Sequence, residues 1–237
     1  MSVRENVADF WPAIAATGYG RAVTLGCRAL FDLDYTPANF DAVTSSLQSF
    51  LADRPAAEIY DDCVRKRANI PWVIQDFFYK PGNESLLKEV LYPDYYRFAW
   101  RMDDLFAIND AAPIRTMEAA TGMAICSLDH LVQAMHADID RFKATGKLAA
   151  FKLGIAYARD LAVDDPPRRA AELAFSRIRK IKKRRGAAAS PRETCPLADY
   201  LIHRLLERAH DEDVPVQVHT GYLAGNWGAL EGTRAMH

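Results

Sequence analysis

The chain has 237 residues, of which 50% are hydrophobic and 26% are charged, and its formal net charge is −1. This is the composition of an ordinary globular protein, long enough for one large domain or two small ones. The near-neutral charge gives no general attraction for nucleic acid or membranes, and no apolar run of about 18 residues predicts a transmembrane helix. The start lacks the apolar core of a signal peptide, and the four cysteines show no C-x-x-C spacing. We therefore expect a cytoplasmic protein with reduced thiols.

The first seventy residues are predicted to be helical, and the rest to alternate strands with helices. Thr36-Pro37 places a cap before a proline at the first helical position. Helices are expected over 6–16, 19–31, 37–52, 54–69, 113–145, 166–185 and 196–210, with the start of another from Gly228. Strands are expected over 71–76, 95–103 and 149–155, and in a segment that ends at His219. This alternation predicts βαβ units and a parallel sheet, hence an α/β fold with a helical region 1–70 followed by a region of alternating strands and helices, 71–237.

The strand that ends at His219 has two different faces. Val214, Val216 and Val218 share one face, and Gln217 and His219 share the other, because side chains alternate along a strand. In a parallel barrel the inward face lines the barrel axis, and active sites lie at the C-terminal ends of the strands. A histidine there suits metal ligation or proton transfer. A local hydrogen bond at a strand end is the alternative.

The second and third strands repeat this division. On the second strand, bulky residues at 96, 98, 100 and 102 lie on one face, and Arg97, Arg101 and Asp103 lie on the other. On the third strand, Lys152 lies on the face opposite to Phe151 and its apolar neighbours. Ionisable groups on the inward face suit a functional cavity, although a half-exposed sheet with a solvated polar face would give the same pattern. The candidate site residues are therefore Asp76, Arg97, Arg101, Asp103, Lys152 and His219.

Each candidate has a functional and a structural interpretation. Two arginines four residues apart suit a substrate carboxylate or phosphate, but Arg101 and Asp103 could equally pair with each other. Asp76 could bind substrate or cap the following loop. Lys152 could anchor a substrate carboxylate, act as a base, or bridge metals once carboxylated.

Three of these segments resemble the amidohydrolase superfamily, in particular its amidohydrolase-related branch near the uronate isomerases. The segment 215–222, followed by Gly225-Asn-Trp227, resembles the fifth-strand histidine segment of that superfamily. The segments 151–159 and 97–103 resemble its fourth and third strands, and the helical opening around 29–34 is similar to an insertion after its first strand. The resemblance implies a partial (β/α)8 TIM barrel with a helical N-terminal insertion. It also implies a metal-dependent hydrolase that uses metal-activated water or a metal-polarised carbonyl.

The chain departs from the superfamily pattern in its metal ligands. It has no His-x-His, its earliest histidine is His130, and the sixth-strand histidine and eighth-strand aspartate would fall beyond residue 237. We therefore expect a fragment that covers barrel strands two to five and is inactive alone. A divalent metal, zinc by resemblance, would be bound in the full-length protein by His219, and by Lys152 if that lysine is carboxylated. The fragment alone could bind none.

The expected partner is a small substrate that bears a carboxylate or an amide. We expect binding neither to nucleic acid nor to a membrane, and the sequence is compatible with a homo-oligomer. The alternative function is that of a non-catalytic interaction domain whose basic helix contacts an acidic partner, since 177–185 holds seven basic residues in nine. The same helix carries an apolar stripe at Ala171, Ala174, Ile178 and Ile181. This stripe instead predicts a helix that packs its apolar face on the core and exposes its basic end to solvent.

Overall fold

The computed structural model describes residues 3–76, 79–85, 94–181 and 190–221. The chain divides into two units, Met1–Ile70 and Pro71–His237. The expected helix from Gly228, the Gly225-Asn-Trp227 segment and the basic residues 182–185 lie outside the described residues. Within the described ranges, no helix is both long and apolar enough to cross a membrane. All four cysteines lie in these ranges and carry free thiols, as the sequence predicts.

The described part of the first unit is helical. Its elements are α1 (Val3–Ile14), α2 (Gly18–Phe31), α3 (Phe40–Leu51) and α4 (Ala56–Tyr60), and α4 continues into a π-helical segment, Asp61–Arg67. Helix α2 begins after Thr17, whose Oγ1 accepts a hydrogen bond from the Gly20 amide at 3.2 Å. It ends at Asp32, which has the left-handed φ of 54°. Helix α3 starts at Phe40 and not at Pro37, because residues 37–39 form a turn.

The described part of the second unit contains a four-stranded parallel sheet. Its strands are β1 (Val73–Gln75), β2 (Tyr96–Arg101), β3 (Leu148–Leu153) and β4 (Val216–Val218), and they neighbour one another in chain order. All three strand pairs are parallel. The prediction of an α/β fold with a parallel sheet is therefore confirmed.

The helices of the second unit are α5 (Asp103–Phe106), α6 (Ala112–Thr121), α7 (Leu128–Ala144), α8 (Arg168–Lys180) and α9 (Pro191–Asp211). The single helix predicted over 113–145 was wrong. Gly122 ends α6 in the left-handed conformation, with φ 69°, and Ser127 caps a new helix. The helix predicted over 196–210 begins earlier than expected. Ser190 and Glu193 form a capping box, so α9 starts before Pro196.

The core of the second unit lies between the outward face of the sheet and its helices. Phe98 and Trp100 from β2 and Phe151 and Leu153 from β3 are buried there. Val214 and Val216 pack against this core as expected. Val218 does not complete the predicted stripe, since it is 45% exposed. Among the described strands β4 has a neighbour on one side only.

A buried carboxylate, Asp138 on α7, holds this core to the segment that follows β1. It accepts hydrogen bonds from Trp100 Nε1 at 2.9 Å, Arg141 Nη2 at 2.8 Å and the Tyr79 hydroxyl at 3.2 Å. Burial raises the pKa of Asp138, and these bonds only partly offset the effect. Trp100 and Tyr79 therefore anchor β2 and residue 79 to α7, while Arg141 pairs with Asp138 within that helix.

Candidate functional site

Ionisable side chains from three parallel strands meet at the C-terminal edge of the sheet. Arg101 on β2 is the register partner of Lys152 on β3, and Lys152 is the partner of Gln217 on β4. Paired residues in a parallel sheet point to the same face, so these side chains share the inward face. Asp76 follows β1 directly and Asp103 follows β2. We call Asp76, Arg101, Asp103 and Lys152 the ion-pair cluster.

Arg101 is the centre of the ion-pair cluster. Its Nε lies 2.7 Å and its Nη2 2.6 Å from Asp103 Oδ2, while its Nη1 donates to both Asp76 oxygens at 3.2 and 3.1 Å. Arg101 is only 8% exposed. Burial lowers the pKa of its guanidinium, but the hydrogen bonds and charges of Asp103 and Asp76 outweigh burial and raise it overall. Arg101 and Asp103 thus pair with each other, as in the structural interpretation of these residues, and Asp76 also pairs with Arg101.

Gly154, directly after β3, completes the ion-pair cluster through its backbone. Its amide donates to Asp103 Oδ1 at 2.8 Å, so both oxygens of Asp103 are engaged. A Cβ at this position would overlap Arg101 Nη2 and Asp103 Oδ2. The cluster therefore requires a glycine here for space, and not for an unusual backbone angle, since φ is −103°.

Lys152 is the loosest member of the ion-pair cluster. Its Nζ lies 3.8 Å from Asp76 Oδ2, which is an ion pair beyond hydrogen-bond distance. The residue is nevertheless only 6% exposed. Its ammonium can therefore move toward another acceptor at less cost than the guanidinium of Arg101, which would have to break several short bonds.

His219, just past β4, lies beside a residue that the sequence did not single out. Its backbone amide donates to the Leu153 carbonyl at 2.9 Å, which extends the β3–β4 pairing up to the histidine. The Tyr157 hydroxyl lies 3.5 Å from His219 Nδ1, and the two rings are 4.7 Å apart between centroids. The same phenol ring lies 5.7 Å from Arg101 Cζ. Tyr157 thus links the histidine to the ion-pair cluster.

Arg97 stands apart from the other candidates. It lies on the same face as Arg101 but four residues earlier, which is about 13 Å along a strand. Its Nη1 donates to the Tyr96 carbonyl at 3.3 Å. The structure therefore brings together five of the six predicted residues, with His219 joined to the other four through Tyr157, and leaves Arg97 near the opposite end of β2.

A cavity of about 390 Å³ opens next to the ion-pair cluster. Arg101 and Asp103 form one wall, and residues 79–81 and the first turn of α6 form the others. Its size is in the range of pockets that hold small molecules.

The described residues do not by themselves fit a catalytic metal. Within these ranges no group of three or more histidine, cysteine, aspartate or glutamate side chains could hold an ion. The two nearest carboxylates, Asp76 and Asp103, are occupied by Arg101. A catalytic zinc usually takes three protein ligands, and His219 offers one.

The fold is similar to that of two solved sugar-acid isomerases. A uronate isomerase from Thermotoga maritima matches with a TM-score of 0.71 at 12% identity, over 93% of this chain and 48% of its own. A glucuronate isomerase from Caulobacter crescentus matches with a TM-score of 0.62 at 16% identity, over 93% of this chain and 46% of its own. The fold is a partial TIM barrel. By sequence, no family model and no curated protein matches the chain.

The chain thus spans about half the length of the two isomerases that it matches. Its four parallel strands correspond to part of a barrel wall, and their C-terminal edge is where barrel enzymes place their active sites. The ion-pair cluster, Tyr157 and His219 all lie at that edge.

Substitution of Gly154 tests whether the ion-pair cluster is as closely packed as described. Gly154→Ala should lower the free energy of unfolding by about 1–3 kcal/mol, because the new methyl group displaces Arg101 and Asp103. Gly26→Ala is the control, since a Cβ there meets no atom within 4 Å and alanine is favoured within a helix. Urea denaturation measures both, and equal stabilities of the two variants would contradict the packing.

Proposed function

We propose that this chain supplies strands two to five of a metal-dependent barrel of the amidohydrolase superfamily, close to the uronate isomerases. The observation that carries the proposal is that Asp76, Arg101, Asp103 and Lys152 meet at the C-terminal edge of a parallel sheet. Tyr157 joins His219 to these residues. The likeness to two sugar-acid isomerases supports it.

The substrate that we propose is a small hydroxy acid, such as a uronate. Of the two cations in the ion-pair cluster, Lys152 has the longer ion pair, so its ammonium would meet a substrate carboxylate. Asp103 and Asp76, held in place by Arg101, would orient substrate hydroxyls as acceptors. Arg101 itself would act as the support of these two carboxylates, because its donors already serve them.

The reaction that we favour is isomerisation. The two solved structures described above are named as isomerases, which favours a polarised carbonyl over hydrolysis of an amide. A divalent metal, zinc by family resemblance, would supply that polarisation when bound. His219 is the ligand that we assign to this chain, and the remaining ligands have to come from outside the described residues.

Within the part of the chain that the structure describes, no observation favours the alternative of an interaction domain with a basic helix. Arg168 on α8 pairs with Asp129 and Glu172, and Arg179 pairs with Glu118 at 3.7 Å. Arg179 is thus paired with a carboxylate, whereas four of the seven basic residues of 177–185 lie outside the described residues. We accordingly propose a small molecule as the partner, in the cytoplasm.

Binding of D-glucuronate tests the assignment of Lys152. Lys152→Met should weaken binding about tenfold or more, because a charged hydrogen-bond donor to the carboxylate is lost. Arg97→Met, on the same face near the other end of β2, should leave the affinity unchanged. Isothermal titration calorimetry of the three proteins measures this. Equal affinity in Lys152→Met, or no binding by the unaltered chain at millimolar ligand, would contradict the assignment.

Zinc content tests the assignment of His219. A longer polypeptide that joins this chain to a His-x-His strand and to strands six to eight should retain one zinc per chain, whereas the 237-residue chain should retain none and show no isomerase activity. In the longer polypeptide His219→Ala should lose the metal and His210→Ala should keep it. Retention of zinc by the His219→Ala variant, measured by elemental analysis, would overturn the assignment.

A further inference from the structure

The loop 154–167, between β3 and α8, is tied to its surroundings at two places. At its start, the Gly154 amide donates to Asp103 Oδ1 in the ion-pair cluster at 2.8 Å. Farther along, Arg159 Nη1 donates to Asp199 Oδ1 on α9 at 2.6 Å, and the Asp164 amide donates to Asp199 Oδ2 at 3.3 Å. One carboxylate on α9 therefore holds two positions of this loop.

Asp199 and Arg159 form a buried ion pair. The side chain of Asp199 is 3% exposed and that of Arg159 is 9% exposed. Burial raises the pKa of Asp199, and the hydrogen bond and charge of Arg159 offset this effect only in part. If the loop moved away, Asp199 would remain buried without its cation, which is costly. The pair is therefore a strong restraint on the loop.

A hydrogen-bonded turn transmits this restraint from Arg159 to Tyr157. The amides of Ala158 and Arg159 both donate to the Ile155 carbonyl at 2.8 Å. The Tyr157 amide donates to the Gly154 carbonyl at 3.1 Å. Tyr157 thus lies two residues before the anchor on α9 and three residues after the anchor on the ion-pair cluster. Because the turn between these anchors is closed by its own hydrogen bonds, a displacement of residue 159 moves residue 157 with it.

We propose that Asp199 is a positioning residue for the candidate site, because it fixes the turn that carries Tyr157. The centroid of the Tyr157 ring lies 4.7 Å from that of His219 and 5.7 Å from Arg101 Cζ. Tyr157 is nevertheless 44% exposed, so these contacts enclose only part of the side chain and the loop supplies the remaining restraint. Asp199 acts on the site through Arg159. The inference rests on the proposed function only in that it places Tyr157 within the site.

This anchoring gives the site a wall that is formed before a ligand enters. Lids belong to weakly held segments, whereas this loop is held by a buried ion pair. His203 on α9 adds a further bond, because its Nε2 lies 3.0 Å from the Asp164 carbonyl, which can only accept. A preformed wall lowers the ordering cost of binding. Asp199 therefore contributes to ligand binding from a helix behind the site.

Contacts between the Tyr157 and His219 rings can be measured by the nuclear Overhauser effect in the 237-residue chain. Asp199→Asn removes the charge that holds Arg159, so the signals between the two rings should disappear. The amides of Ala158 and Arg159 should exchange with solvent about tenfold faster or more, because the turn loses its anchor. Protected amides of α7 should show that the variant is folded.

Two further variants separate the role of the buried pair from a general effect on α9. Arg159→Met breaks the same pair, but Asp199 can then take up a proton, so this variant should fold and lose the same signals. Glu207→Gln is the matched control, since it also turns a carboxylate of α9 into an amide. Its ion pair with Arg204 is exposed, and its loss should leave the ring contacts unchanged.

Unchanged ring contacts in folded Asp199→Asn and Arg159→Met would overturn the inference. A merely structural role for Asp199 predicts that result, with all protected amides of the second unit exchanging faster together. If Asp199→Asn does not fold, Arg159→Met decides. The measurement needs neither ligand nor metal. A failure of the D-glucuronate experiment would therefore remove the proposed substrate and leave the role of Asp199 standing, so the two failures are distinguishable.

Discussion

The buried guanidinium of Arg101 is the interaction on which the candidate site depends. It bonds to Asp76 after β1 and to Asp103 after β2, and Asp103 in turn accepts the Gly154 amide after β3. A buried charge is costly unless it is paired and hydrogen-bonded, so the three strand ends have to keep the spacing that satisfies it. Arg101 thus joins two strand ends directly, and Asp103 joins the third to them, so the spacing of the three strand ends is defined at this edge of the sheet.

In this arrangement the residue that holds the carboxylates in place differs from the residues that we assign to contact with a ligand. Arg101 is engaged by carboxylates, so it serves to hold Asp76 and Asp103 in position. Lys152, whose ion pair with Asp76 is 3.8 Å long, and His219, beside Tyr157, are not bonded to Arg101 by any of the hydrogen bonds described above. Such a division is useful in a binding site, because charged groups that must not move are satisfied internally while others remain able to meet a ligand. Arg97 shares the face of Arg101 but not its end of the strand, a difference that the four-residue spacing does not by itself reveal.

The periodicity of the sequence was sufficient to predict the sheet, but not the contacts of the site. Alternation placed Arg101, Lys152 and His219 on inward faces, because that pattern depends only on the two-residue repeat of a strand. The bond between Arg101 and Asp76 joins residues 25 apart, and no local pattern specifies such a pairing. Sequence periodicity does not single out Tyr157, because a short 3₁₀ turn has no apolar repeat. Its position in the loop that follows the C-terminal end of β3 was nevertheless a usable signal. The prediction of one helix over 113–145 was wrong because Gly122 ends α6 in the left-handed conformation.

A double-mutant cycle between Arg101 and Asp76 tests the central claim most directly, since it measures the coupling of two strand ends. The variants are Arg101→Met, Asp76→Asn and the combination, each followed by urea denaturation. The structure predicts a coupling free energy of about 1 kcal/mol, reduced from that of a fully buried pair because the Asp76 side chain is 32% exposed. Effects that add to within about 0.3 kcal/mol would mean that the two residues do not interact, and the converging strand ends would then be wrong.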